Sequence, residues 1–270
     1  MSPVPDRFPQ RIVCLTEETT ETLYLLGQQH RIVGISGYTV RPPQARQEKP
    51  RVSAFLSAKI DRILELEPDL VLGFSDLQAD IASQLIRAGV AVHVFNQRRI
   101  AGILQTIAMI GAMVGAHERS AVLLAQLQAG LDEAAAAARG LPRRPRVYFE
   151  EWMDPLITGI GWVSELIELA GGQECFPELA GQSLGRHRII ADPLEVVRRS
   201  PELILGSWCG RKFRPEQVMA REGWADVPAV RHAQVFEIKS SEILQPGPAA
   251  LTDGLRQIRT RLDDWARLHA

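Results

Sequence analysis

One string of this chain occurs twice. DRILELEPDLVLG, from Asp61 to Gly73, returns 133 residues later as LEVVRRSPELILG, from Leu194 to Gly206. Each copy reads as a short amphipathic helix, a proline, an acid, and an apolar strand closed by glycine. A second pair, RIVCLTEE from Arg11 and RVYFEEW from Arg146, sits at nearly the same offset. Each member opens its half with a strand leading into two glutamates. Two matched pairs at near-equal offset argue for two similar α/β lobes. The length of 270 residues agrees, at about 150 residues per domain.

Within each half, apolar strands alternate with helical patterns. Strands are expected at 12–15, 32–36, 70–74 and 90–95, then at 147–150, 203–207 and 235–238. Helices are expected at 18–26, 60–66, 76–88, 162–170 and 193–199. Continuous apolar strands separated by helices indicate parallel sheets covered on both faces. The expected fold class is α/β: two similar lobes with mostly parallel sheets flanked by helices, bridged by one long helix. The lobes are expected at 1–98 and 142–270, with the bridge at 99–141. That segment has no proline from 100 to 139, and its apolar positions recur through Leu123, Leu127 and Leu131. It then runs into the best helix former over 134–138. A break is expected near 111–115. A last helix is expected at 249–269.

Composition removes several classes. An apolar fraction of 46% with 23% charged residues is that of a folded globular chain. A net charge of −1 offers no global field for nucleic acid. The longest nearly apolar run, IAMIGAMVGA at 107–116, is too short for a bilayer, which needs about 20 residues. Residues 1–10 lack a signal-peptide pattern, so the chain as written reads as cytoplasmic, or periplasmic if its true start lies upstream. A monomer is expected. Cys14, Cys175 and Cys209 have neither disulfide-framework nor zinc spacing. No GxGxxG fingerprint, phosphate loop, nucleophile elbow or HExxH is present. The expectation is a protein that is not an enzyme and carries no intrinsic cofactor or metal.

In parallel α/β sheets ligands bind beyond the carboxyl ends of the strands, and two facing lobes would enclose a cleft. The residues that follow the expected strands are then the candidate lining. In the first half these are Glu17, Glu18, Tyr38, Phe55 and Phe74. In the second they are Glu150, Glu151, Trp152, Trp162, His187, Trp208, Cys209 and Glu242. Aromatic residues on both lips suit a large, flat, partly apolar ligand. The glutamates have two readings: acids that satisfy free N–H groups at helix starts, or inward-facing groups that favour cationic or amine-bearing ligands. Phe74, Trp152 and Trp208 also read as core, and Cys209 as an inert apolar side chain. The cluster Arg211, Lys212 and Arg214 reads as a solvated loop or as a contact to a phosphate or a partner protein.

RIVCL, TEETTETLYLLG, HRIVGISGYTVRPP, SAFLSAKIDRILELEPDLVLG and QPGPAALTDGL together resemble the class III substrate-binding proteins of ABC importers for cobalamin and ferric siderophores, and among them the cobalamin binders. The resemblance runs from about Arg11 to Trp265. It implies a non-enzymatic solute-binding protein that holds a corrinoid, cobalamin, as ligand and delivers it to an importer permease. It implies that Tyr38 stacks on the ligand and that Phe55 and Phe74 touch the corrin. It implies that an acid on each lobe docks on transporter arginines. Asp61 stands at that place in the first lobe. In the second the matching position is Leu194, with Glu195 beside it.

Two alternatives stay open. Haem, a ferric siderophore or another metal chelate would use the same scaffold, with His187 or Cys209 as axial ligand. A cytosolic corrinoid-processing enzyme would instead use the acidic groups.

Overall fold

The computed structural model describes residues 7–269. The first half runs β1 (Ile12–Cys14), α1 (Glu17–Leu25), β2 (Ile32–Ser36), α2 (Ala45–Glu48), β3 (Arg51–Ser53), α3 (Ile60–Leu64), β4 (Leu70–Phe74), α4 (Ala79–Arg87), β5 (Val92–Phe95) and α5 (Ile100–Met113). The helix α6 (His117–Ala138) leads into β6 (Arg146–Met153), β7 (Leu156–Thr158), α7 (Gly161–Leu169), β8 (Gln173–Glu174), α8 (Pro177–Ala180) and α9 (Leu194–Arg199). The chain closes with β9 (Leu203–Gly206), α10 (Pro215–Met219), α11 (Pro228–Arg231), β10 (Val235–Glu237), α12 (Ser240–Ile243) and α13 (Leu255–His269).

The repeated string has the same physical job in both halves. It folds as α3 then β4, and as α9 then β9, each strand pairing in parallel with the half's opening strand. The acid after the proline reaches that opening strand. Asp69 accepts from the backbone N–H of Arg11 at 2.9 Å, and Glu202 accepts from the N–H of Arg146 at 3.1 Å. The two arginines answer alike: Arg11 Nε donates to the Leu66 carbonyl at 3.0 Å, and Arg146 Nε to the Ser200 carbonyl at 2.9 Å. Even the backbone repeats, since Glu67 and Ser200, each just before the proline, take φ of 45° and 51°. Only glycine enters that region without a steric penalty. Ser200→Gly is therefore expected to raise stability by roughly 0.5–1 kcal/mol, read as a higher urea midpoint; an unchanged or lower midpoint would show that no strain resides there.

The first sheet has the order β3-β2-β1-β4-β5, all parallel. Alternate residues face opposite sides of a strand, and here both sides are core. Ile12, Cys14, Leu70 and Leu72 pack into one cluster, and Val13, Leu15 and Val71 into another. That double burial explains why these strands read as continuous apolar runs. The second sheet has the order β10-β9-β6-β7, with β8 also along β6. β7 runs antiparallel and the other pairings are parallel. Its cluster includes Tyr148, Ile204, Trp208, Phe213 and Val235. The α/β class and the mostly parallel sheets are those expected. Strands β3, β7 and β8, of three, three and two residues, were not expected.

The expected bridging segment is two helices, parted at the place where a break was expected. Gly115 breaks it with φ of 68°, and a Cβ there would lie 2.5 Å from the Phe8 ring. α5 is no bridge. It buries Ile103, Ile107 and Ile110, and Ile110 belongs to the first unit's core. By contact the chain forms two units, one through Gln97 plus Ala101–Gln126, the other Arg98–Ile100 plus the chain from Leu127. α6 is divided between them at Gln126 and Leu127, whereas α5 belongs to the first unit in all but its first residue, Ile100.

Candidate functional site

The first unit gathers its candidate residues at the carboxyl ends of its strands. After β1, Thr16 takes extended dihedrals and α1 begins. Glu17, Glu18, Thr19, Thr20, Glu21, Thr22 and Leu23 of α1 are all buried. So polar a helix tolerates burial because its hydroxyls are turned on its own backbone. Thr20 and Thr22 donate to the carbonyls of Thr16 and Glu18 at 3.1 and 2.7 Å. Thr16 Oγ1 donates to Glu18 Oε1 at 2.7 Å.

Glu17 lies only 4% exposed, and its Oε1 has no hydrogen-bond partner among the described residues. Burial pushes its carboxyl up to about 8, and the neighbouring Glu21 and Glu18 carboxylates add to the rise. The backbone N–H groups of Val40 and Arg41 hydrogen-bond it and pull the other way. Arg41 Nε also donates to Glu21 at 2.9 Å. Two glutamates of α1 thus hold the 39–41 segment, which directly follows Tyr38.

Tyr38 itself is 61% exposed. β2 and β3 are neighbours, and the Gly37 N–H donates to the Ser53 carbonyl at 2.7 Å. That pairing sets Tyr38 and Val40 on one loop beside Phe55 and Leu56 on the next, with Leu56 66% exposed and Phe55 partly buried. The loops are tied by a residue that sequence reasoning missed. Buried Gln78 accepts from the Phe74 N–H at 2.9 Å and donates to the Phe55 carbonyl at 2.9 Å. A Cβ on Gly73 would lie 2.8 Å from Gln78 Oε1, so glycine at the strand's close admits this amide. Phe74 is buried at 8% exposure.

The second unit spends most of its candidates internally. Glu150 is fully buried, pairs bidentately with Arg221 at 2.5 and 2.8 Å, and accepts from Trp208 Nε1 at 2.9 Å. Trp208 is core, edge-on to Phe213. Trp162 is core as well, its Nε1 donating to the Ile243 carbonyl at 2.8 Å. Neither tryptophan lines an open surface. Glu151 accepts two bonds from buried Arg188, at 2.6 and 2.9 Å. Glu242 accepts from Gln257. Trp152 remains partly exposed, its Nε1 on the Asp154 carbonyl and Arg211 over its ring at 5.5 Å. His187 is exposed and accepts from Arg186 at 3.2 Å. Cys209 is a free, exposed cysteine.

Arg221 and Arg188 were not singled out as ion-pair partners. They stand 71 and 37 residues from their glutamates, and no local pattern links such pairs. Of the docking acids, Asp61 is exposed on α3, while Glu195 is bound to Arg198 and Arg199 of its own helix at 2.7 and 2.9 Å. Among the described residues no group of three or more His, Cys, Asp or Glu could hold a metal ion, and no helix is long and apolar enough to cross a membrane.

Comparison with known proteins agrees with this architecture. The Periplasmic binding protein family matches residues 12–242. An uncharacterized ABC transporter substrate-binding lipoprotein of Bacillus subtilis is 23% identical over 259 residues, covering 93% of this chain and 79% of that protein. A cobalamin-binding protein of Halobacterium salinarum is 28% identical over 258 residues, covering 90% and 67%. In structure, a periplasmic heme-binding protein of Roseiflexus sp. RS-1 superposes with a TM-score of 0.79 at 24% identity, covering 94% of this chain and 99% of that one. The family match takes in the opening strand of each unit and all the strand-end loops described above, and on that extent the chain belongs to the periplasmic binding protein family of solute-binding proteins.

Proposed function

We propose that this chain is a non-enzymatic solute-binding protein whose ligand is a corrinoid and whose partner is an ABC importer. The observation that carries the reading is the apolar surface at the ends of β2 and β3, where Tyr38 and Leu56 stand mostly exposed beside Phe55. Exposed aromatic and aliphatic groups on a scaffold tied by buried hydrogen bonds make a preformed platform for a flat, partly apolar ligand. The cobalamin-binding relative supports the corrinoid. The heme-binding structural neighbour keeps haem as the second reading. Of the acids that an enzyme would use, Glu151 is committed to Arg188, which leaves such a reading resting on Glu17, whose carboxyl burial pushes up to about 8.

Calorimetric titration with cobalamin, with visible spectra, is expected to show saturable one-to-one binding. Tyr38→Ala is expected to weaken it by about tenfold, the equivalent of about 1.4 kcal/mol for a lost stacking face. No heat and no spectral change at high micromolar cobalamin would reject the corrinoid. A Soret shift with haemin under the same conditions would replace it with haem.

A further inference from the structure

A groove of about 550 Å³ lies in the first unit, between α4 and the end of β5. Ala79, Ala82, Ser83, Ile86 and Arg87 of α4 form one wall, and Val94 stands opposite. β5 is the last strand of its sheet, with no strand neighbour on its outer side among the described residues. Open edges of this kind are usually blunted by proline, fixed charge or a covering element. β5 reads VHVF and has neither proline nor fixed charge. Instead the groove presents apolar groups to solvent: Ile86 is 59% exposed and Val94 36%.

We propose that a second copy of this chain docks in this groove, with α4 antiparallel to the same helix of the partner subunit. Three features make the surface complementary to itself. Small side chains, Ala79, Ala82 and Ser83, occupy the N-terminal part of the α4 stripe, and the large Ile86 the C-terminal part. Antiparallel packing about a two-fold axis seats Ile86 of the partner subunit over the small residues, and the reverse, as an isologous contact requires. Charge follows the same inversion. Asp80 and Arg87, both exposed, are seven residues apart and so lie on one flank of the helix, about two turns from each other. The two-fold axis brings Asp80 against Arg87 of the partner subunit, twice over, whereas a parallel arrangement opposes like charges. Finally, the same axis lays β5 antiparallel to β5 of the partner subunit, which would supply hydrogen bonds to the open edge.

Sedimentation velocity and light scattering of the full chain, over a concentration series reaching several hundred micromolar, test this without reference to any ligand. The mass is expected to rise from 30.0 kDa toward twice that value. Ile86→Asp is expected to weaken association by about tenfold or more with an unchanged melting temperature, because the side chain is exposed in the single copy. Asp80→Arg and Arg87→Asp are each expected to weaken it by about threefold, and the double variant to restore it. A constant monomer mass at every concentration overturns the proposal. So does a dimer indifferent to Ile86→Asp, which would place the interface elsewhere, or a double variant weaker than either single one, which would rule out the antiparallel pairing.

Discussion

Replacement of Arg221 by methionine is expected to destabilise the second unit by about 3–5 kcal/mol, the usual consequence of stranding a buried charge. Glu150 is fully buried, and its two oxygens are held by Arg221 and Trp208. Without the guanidinium, the Trp208 N–H alone cannot compensate a desolvated carboxylate. The arginine also lies over the Trp224 ring at 4.7 Å, so its aliphatic stem packs as well, and methionine keeps most of that contact. The charge is therefore the part that the variant removes. Glu150→Gln in the same background is expected to recover much of the loss, because an amide is far less costly to bury than a carboxylate. Urea unfolding of the two variants measures both effects. Equal stability of Arg221→Met and wild type would show that the pair is solvated after all.

Glu17→Gln carries the second large effect, and its sign depends on pH. Burial raises the Glu17 carboxyl from 4.5 to about 8, so the folded chain holds this proton more tightly than the unfolded chain does. Its contribution to stability is fully present below about pH 4.5 and declines as pH climbs to about 8, with a limiting slope of about 1.4 kcal/mol per pH unit. Glutamine keeps an acceptor for the N–H groups of Val40 and Arg41 but cannot ionise. The variant is thus expected to match wild type near pH 4.5 and to exceed it by several kcal/mol at pH 8.5 and above. The accumulated charge of Glu17 beside Glu21 and Glu18, answered by Arg41, is what the substitution relieves. Stability curves that run parallel from pH 5 to 8.5 would contradict the burial argument.

The duplicated strings announced the two units, and they did so because the acid of each copy and the arginine that opens its half make contacts inside a single βαβ neighbourhood. Asp69 with Arg11 and Glu202 with Arg146 are local to the fold though distant along the chain, and the same need selects the same residues twice. The strand tips were equally legible, and Tyr38 and Phe55 stand there. The fates of the tryptophans were not. Trp152, Trp162 and Trp208 all follow strands or open helices among polar neighbours, yet two are core and one is partly exposed. A side chain that pairs an apolar body with one N–H suits either place, and only the position of a remote acceptor, the Ile243 carbonyl or the Glu150 carboxylate, decides.

From residue order alone came the α/β class, the two-fold internal repeat, the parallel central strands and the solute-binding family resemblance. All rest on periodicity or short motifs, which act over a few residues and survive as pattern. The tertiary structure alone decided that Glu150 and Glu151 are bound by arginines, that Gln78 ties the strand-end loops, and that α5 packs into the first unit's core while α6 is divided between the units. Charge pairing and burial depend on distances in space between residues up to 71 positions apart, and that information is absent from any local stretch of chain.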